Sequence, residues 1–211
     1  MTNQMSDSAK SQQVIDPFEG RIVVGMDGSD GSFMAAHWAV SEAKVRGRGI
    51  TLAHAIMPTA ASSAFGIAVP PRLDLIEDMR SGASEDLTRL AADLDCADIQ
   101  VVVEIGTPSA LLLTASDTAE LLVLGSRGRG GFTALLLGSV GSQVTSHASC
   151  PVIVMRDDPR ADSNELVVGI DGSEHSLAAL DFAFDEASRH GYKIVAVHAW
   201  DVPSFDLIIT T

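Results

Sequence analysis

Four glycines fall within seven residues in Gly125-Ser126-Arg127-Gly128-Arg129-Gly130-Gly131, directly after the apolar run Leu121-Leu122-Val123-Leu124. An apolar run of that length, bounded by turn residues, reads as a short buried strand. Glycine frees the backbone to take positive φ and lets a ligand come close to the main chain. Successive N–H groups in such a loop form an anion-binding concavity. Gly138-Ser139 then opens the next helical pattern, where unpaired amides and the helix dipole favour phosphate. Arg127 and Arg129 add positive charge in a chain of net charge −14. The chemistry on offer is retention of the phosphates of a nucleotide. Ser139 suits it in two ways, because its hydroxyl either accepts helix-start N–H groups or donates to a phosphate or a metal-bound water. Val140 offers only its amide. An ordinary glycine-rich turn accounts for the same glycines, and solvated loop charge accounts for the same arginines.

The elements around this loop alternate between strand and helix. Arg21 to Asp27 is a first strand ending in the turn Gly28-Ser29-Asp30-Gly31. Ser32 or Asp30 suits the cap of the helix that follows, roughly to Arg46, where Gly47 stops it. Ala35, Ala36, Ala39, Val40 and Ala43 recur at helical spacing and give that helix a narrow packing face. Ile50–Ile56 is a second strand. Residues 57–71 form a long connection rich in Ala, Ser and Pro, the kind of segment that often serves as a lid. A long helix from Arg72 to Leu94 carries an apolar stripe through Leu73, Ile76, Met79, Leu87, Leu90, Ala91 and Leu94. Ile99–Ile105 is a third strand. Thr107-Pro108 reads as an N-cap with proline at the first helical position, opening a short helix to about Ala115. The fourth strand is Leu121–Leu124, a helix runs from about Leu136 to His147, and Pro151–Met155 is the fifth strand. Strands alternating with helices predict a doubly wound α/β fold with a mainly parallel sheet. In such sheets ligands sit beyond the carboxyl ends of the strands, where strand order reverses. Asp27 and Gly125 both lie at carboxyl ends.

Gly125-x2-Gly128-x9-Gly138-Ser139, continued through Val140 and Cys150-Pro151-Val152-Ile153-Val154, resembles the ATP-binding signature of the universal stress protein family. The resemblance implies a five-stranded sheet in order 3-2-1-4-5. It places Gly25, Asp27 and Gly28 beside the adenine and ribose, and main chain at His54-Ala55 against the adenine edge. It implies that Gly125, Ser126, Arg127, Gly128, Arg129, Gly130, Gly131, Gly138, Ser139 and Val140 hold the phosphates of ATP, with any Mg²⁺ arriving on the triphosphate. It further implies a nucleotide-dependent regulator of the stress response that acts through a protein partner. Association between copies or domains would then run through the fifth-strand edge at Val152–Val154. Local readings stand beside these: Asp27 as a turn residue bonding its own loop amides, Gly25 as a tight strand contact, and the His54 imidazole as packed rather than catalytic.

Composition narrows the function further. A net charge of −14 and only three lysines argue against a broad nucleic-acid or anionic-membrane surface. No stretch approaches the roughly 20 apolar residues that span a bilayer, and the first residues lack the basic and apolar regions of a secretion signal. A cytoplasmic protein is expected. Cys96 and Cys150 are the only cysteines and, like His37, His147, His175 and His190, show no metal-ligand spacing.

The chain also repeats itself. Val23-Val24-Gly25-Met26-Asp27-Gly28-Ser29 returns as Val167-Val168-Gly169-Ile170-Asp171-Gly172-Ser173, an offset of 171 − 27 = 144 that holds without a gap to His198-Ala199. The organisation expected is a flexible tail over 1–19, a nucleotide-binding domain over 20–156, a linker over 157–164 and a partial second copy over 165–211. That copy contains only strand, helix and strand, so either the chain is truncated there or the fragment docks on another surface. Only the first domain is expected to bind nucleotide.

Two other classes compete. An enzyme is one: weak ATP hydrolysis, or adenylate formation. A P-loop fails because no Gly-x4-Gly-Lys-Ser/Thr occurs, and a dinucleotide fingerprint fails because Thr133 stands where the third glycine belongs. A structural dimerisation module without ligand is the other, and the intact glycine spacing speaks against it.

Overall fold

The computed structural model describes residues 16–57, 61–62, 68–69, 73–126, 128, 137–156 and 164–200. The chain divides into two compact units, 1–157 and 158–211. In the first, five strands are all parallel: β1 (Ile22–Gly25), β2 (Ile50–Ile56), β5 (Ile99–Ile105), β6 (Leu121–Gly125) and β7 (Val152–Met155). Their order is β5-β2-β1-β6-β7, the 3-2-1-4-5 arrangement with the reversal between β1 and β6. Two further strands of two residues each, β3 (Ala61–Ser62) and β4 (Ala68–Val69), pair antiparallel within the long connection. Sequence periodicity does not predict them, because two residues carry no alternation.

Helices α1 (Asp30–Arg46) and α2 (Leu73–Asp93) return the chain between β1, β2 and β5. Helices α3 (Pro108–Ser116) and α4 (Ser139–His147) return it through β6 to β7. Right-handed crossovers put the first pair on one sheet face and the second pair on the other. Ile22, Val24, Ile50 and Leu52 are buried on the α1–α2 face. Val23, Ala53, Leu122 and Leu124 cluster with Leu112, Ala115 and Val144 on the opposite face. α1 sits close to the sheet because its buried face is Ala35, Ala36, Ala39, Val40 and Ala43. α2 differs from the expected stripe: Leu73 and Met79 are exposed, Ile76, Leu87, Leu90 and Ala91 are half-buried, and only Leu94, just past the helix, is fully covered.

Caps follow the sequence with two shifts. Thr107 accepts from the Ala110 amide with Pro108 behind it, and Gly47 takes the left-handed conformation (φ 64°) that stops α1. The α1 cap is Ser29, whose hydroxyl accepts from Ser32 N–H at 3.3 Å, not Ser32 or Asp30. Three polar residues follow Gly28 within four positions, and sequence alone does not rank them. α4 starts at Ser139 rather than Leu136, with Gly138 as an N-cap that offers no side chain.

Arg21 fastens the base of the sheet. Its guanidinium donates to both oxygens of Asp98 at 2.9 and 2.8 Å, to Thr51 Oγ1 at 3.0 Å and to the Ile50 carbonyl at 2.8 Å. This ties β1 to β2 and to the segment entering β5.

The second unit contains β8 (Glu165–Gly169), α5 (Glu174–His190) and β9 (Lys193–Val197), with β8 and β9 parallel. Among the described residues no helix is long and apolar enough to cross a membrane.

Candidate functional site

The carboxyl ends of β1 and β6 are neighbours in the sheet, and the chain leaves them toward opposite faces. That divergence opens a crevice. A cavity of about 500 Å³ occupies it, within the range of small-molecule sites. Its walls come from four places: the β1 turn (Gly25, Met26, Asp27, Ser29), the end of β2 (Ala53, His54, Ala55), the start of α3 (Pro108, Leu111, Leu112) and the β6-to-α4 connection (Gly125, Ser126, Gly128 and Leu137 to Gly141).

The last of these is the polar end. Ser126 N–H donates to the Met155 carbonyl at 2.8 Å, and the Ser126 carbonyl accepts from Gly138 N–H at 3.1 Å. These two bonds close the neck of the glycine loop and use up both amides. The next three amides, of Ser139, Val140 and Gly141, stand in the first turn of α4, where no intrahelical carbonyl is available. Among the described residues none of them has an acceptor. The first intrahelical bond of α4 is Ser142 N–H to the Gly138 carbonyl at 2.9 Å. Three donors and the positive end of a helix dipole thus border the cavity. An anionic oxygen satisfies all of these at once.

Other parts of the lining are apolar. Leu111, Leu112, Leu124, Ala53 and Ala55 form a surface suited to a flat ring. His54 is held by its own fold: its Nδ1–H donates to the Met26 carbonyl at 2.7 Å, which fixes the ring against the β1 turn. Asp27 also serves the turn, as its Oδ1 accepts from the Ser29 amide at 3.0 Å and the Ser29 hydroxyl at 2.6 Å.

Of the residues singled out from sequence, Gly25, Asp27, Ala55, Gly125, Ser126, Gly128, Gly138, Ser139 and Val140 all border this cavity. Gly28 does not; its φ of 76° makes it the pivot of the β1 turn. Arg127, Arg129, Gly130 and Gly131 lie outside the described residues. Packing also bears on two of the glycines. A Cβ on Gly25 would meet Leu124 Cδ2 at 2.6 Å, and one on Gly125 would meet the Gly31 backbone carbon at 2.7 Å. Gly128 faces Asp27, whose Oδ2 would lie 2.5 Å from an added Cβ. Sequence reading missed Leu111 and Leu112 as cavity walls. Their helical spacing marks a buried face without revealing that the face ends in a crevice.

The model of the universal stress protein family matches residues 20–156 and 163–210. The chain belongs to the universal stress protein family. A universal stress protein of Mycolicibacterium smegmatis is 36% identical over 193 residues, covering 86% of this chain and 66% of that relative. Universal stress protein Rv2005c of Mycobacterium tuberculosis is 36% identical over 194 residues, covering 85% of this chain and 63% of its own. The chain therefore spans less than two thirds of the length of either relative. Among solved structures, a universal stress protein from Archaeoglobus fulgidus superimposes with a TM-score of 0.68 at 22% identity, over 89% of this chain and 68% of that one. Universal stress protein UspA from Lactobacillus plantarum gives 0.54 at 24% identity, over 65% and 97%. A universal stress protein solved in complex with cAMP gives 0.50 at 24% identity, over 67% and 99%. At these identities the structural likeness establishes the fold.

Proposed function

We propose that this member of the universal stress protein family binds ATP in the β1–β6 crevice and acts as a nucleotide-dependent regulator. The observation that carries the reading is the row of Ser139, Val140 and Gly141 amides, which have no acceptor among the described residues, bordering a cavity also lined by leucine and alanine. Phosphate suits the first and adenine the second. The family structure solved with cAMP supports an adenine nucleotide as the ligand class. Mg²⁺ would come with the triphosphate and keep its own waters and phosphate ligands. Ser139, whose hydroxyl stands at the helix start, is the residue to meet a phosphate or one of those waters.

Regulation then follows from differential binding. ATP can change a partner's affinity only if that partner prefers the nucleotide-bound arrangement of the loop between β6 and α4. Residues 20–156 act as the nucleotide domain, 157–164 as a linker and 165–211 as a partial second copy, in a cytoplasmic protein. β7 is an outer strand of its sheet, and Val152–Val154 is the strip through which copies or domains would associate. The test is calorimetric titration of the full chain with ATP, ADP, AMP and cAMP, with and without Mg²⁺. Affinity rising with phosphate number is the expected result. Absence of binding for every nucleotide refutes the reading.

A further inference from the structure

Among the described residues five buried side chains carry a hydroxyl: Ser32, Thr51, Ser116, Ser126 and Ser176. Four of them spend it on a backbone carbonyl. Ser32 donates to Ser29 at 2.8 Å, Thr51 to Pro17 at 2.6 Å, Ser116 to Leu113 at 2.7 Å and Ser176 to Ser173 at 2.9 Å. The Ser126 hydroxyl has no partner among the described residues. Yet no fully buried polar side-chain atom of those residues is left without one. The hydroxyl is therefore not sealed in: the 6% of Ser126 that stays open includes its oxygen, and Ser126 lines the crevice.

Strand alternation accounts for its direction. Gly125 of β6 pairs with Met155 of β7, and Ser126 N–H extends that ladder by donating to the Met155 carbonyl at 2.8 Å. Successive side chains of a strand point to opposite faces. Ser126 thus shares the face of Leu122 and Leu124, which Leu112 of α3 and Val144 of α4 cover. Its carbonyl takes Gly138 N–H at 3.1 Å, which sets the residue beside the first turn of α4. Leu124, two positions earlier, belongs to the apolar lining. The hydroxyl stands where the two linings join. A hydroxyl buried without a hydrogen bond costs free energy, and an alanine would make every hydrogen bond that the described residues show here.

We propose that Ser126 Oγ–H donates to the phosphate attached to the sugar, the one that AMP, ADP and ATP have in common, and so separates nucleotides from nucleosides. The inference rests on the nucleotide reading of this crevice and gives one of its phosphates to a side chain. A phosphate fits better than a sugar hydroxyl because the neighbouring groups without an acceptor, the Ser139, Val140 and Gly141 amides, are all donors, and an anion serves them together. The innermost phosphate fits because Ser126 follows so closely on the Leu124 wall. Ser139 is then left to the outer phosphates.

Calorimetry with adenosine, AMP, ADP and ATP on the full chain and on Ser126→Ala tests this. The variant breaks no hydrogen bond made by the described residues, so its thermal melt should match that of the parent. AMP, ADP and ATP should each lose affinity by a similar factor, about tenfold or more, while adenosine keeps its own. Ser142→Ala, at an exposed position of α4 outside the crevice lining, should change none of the four. An unchanged AMP affinity overturns the inference. So does a loss confined to ATP, or an equal loss for adenosine, which would put the hydroxyl on an outer phosphate or on the sugar. If the parent protein binds no nucleotide, the reading of the crevice fails and this inference with it; nucleotide binding that Ser126→Ala leaves intact sinks the inference alone.

Discussion

Replacing Gly138 with alanine separates phosphate recognition from folding. Gly138 caps α4 at φ −70° and ψ 168°, a conformation alanine adopts without strain. Among the described residues an added Cβ finds its nearest neighbour, the Ser126 carbonyl oxygen, at 3.9 Å, so none of them resists it. Two small effects on stability oppose each other. Alanine is a poorer N-cap than glycine by about 0.5–1 kcal/mol. Reduced freedom of the unfolded chain returns about 0.4–1 kcal/mol. The remainder is within about 0.5 kcal/mol of zero, and Tm should move by less than about 2 °C. Binding should respond differently. The new methyl stands beside the Ser139, Val140 and Gly141 amides, on the approach of a phosphate oxygen. Loss of one charge-assisted hydrogen bond, about 1.5–3 kcal/mol, corresponds to about a 10- to 150-fold loss of ATP affinity. Adenosine, which has no phosphate, should bind almost as before. Calorimetry with ATP and adenosine on both proteins, beside a thermal melt, gives every number needed. ATP affinity that does not change, or that falls in step with adenosine, refutes the phosphate assignment.

Three further outcomes are expected. Gly125→Ala should destabilise the protein by about 1–3 kcal/mol in a denaturant melt, because the added Cβ meets the Gly31 backbone, which has little room to yield. Asp98→Asn should remove an acid-sensitive fastening: the Arg21 hydrogen bond holds the Asp98 carboxyl below its ordinary 3.8, so its stabilisation is present above that pH and is lost as pH falls through the lowered value. Asp98 is largely exposed, which limits the effect at neutral pH to about 1 kcal/mol or less. Burial pushes the Cys150 thiol above its ordinary 9.0, so at pH 8 iodoacetamide should modify Cys150 more slowly than an unhindered thiol, read by mass spectrometry. The sign for stability is the reverse of that for Asp98: above pH 9 the unfolded chain gives up this proton before the folded one does, and stability falls as pH rises.

Local chemistry was legible in the sequence, and non-local packing was not. Thr107-Pro108, Gly47 and the five apolar runs each announce an element through residues adjacent in the chain, and each element is present. Gly25 and Gly125 show the limit. Both read as places for a ligand to approach, and both do border the cavity. Yet the atoms that an added side chain would meet at these positions belong to Leu124 and Gly31, each more than ninety positions distant along the chain. No periodicity reveals that contact. The same holds for Leu111 and Leu112, and for the fate of the loop amides. Glycine spacing predicts donors between β6 and α4 but does not say that Gly138 spends its own on Ser126 while the next three find no acceptor among the described residues.

The internal repeat shows the opening framework of this fold twice within one chain. The Asp27–Ser29 bond recurs as Asp171–Ser173, with Ser173 N–H donating at 2.9 Å. There the Ser173 hydroxyl and amide hold the Asp171 carboxyl at about 2. Ser29 and Ser173 cap equivalent helices, and Gly47 and Gly191 end them in the left-handed conformation. His54 donates to the Met26 carbonyl, and His198 to that of Ile170. Every one of these bonds forms within the strand–turn–helix–strand part of its unit, without a residue of the β6–α4 connection. They set the angle at which the chain leaves the first strand of each unit. An exchange of Asp27 or His54 should be felt first in the stability of the turn, and only through the turn in the grip on nucleotide.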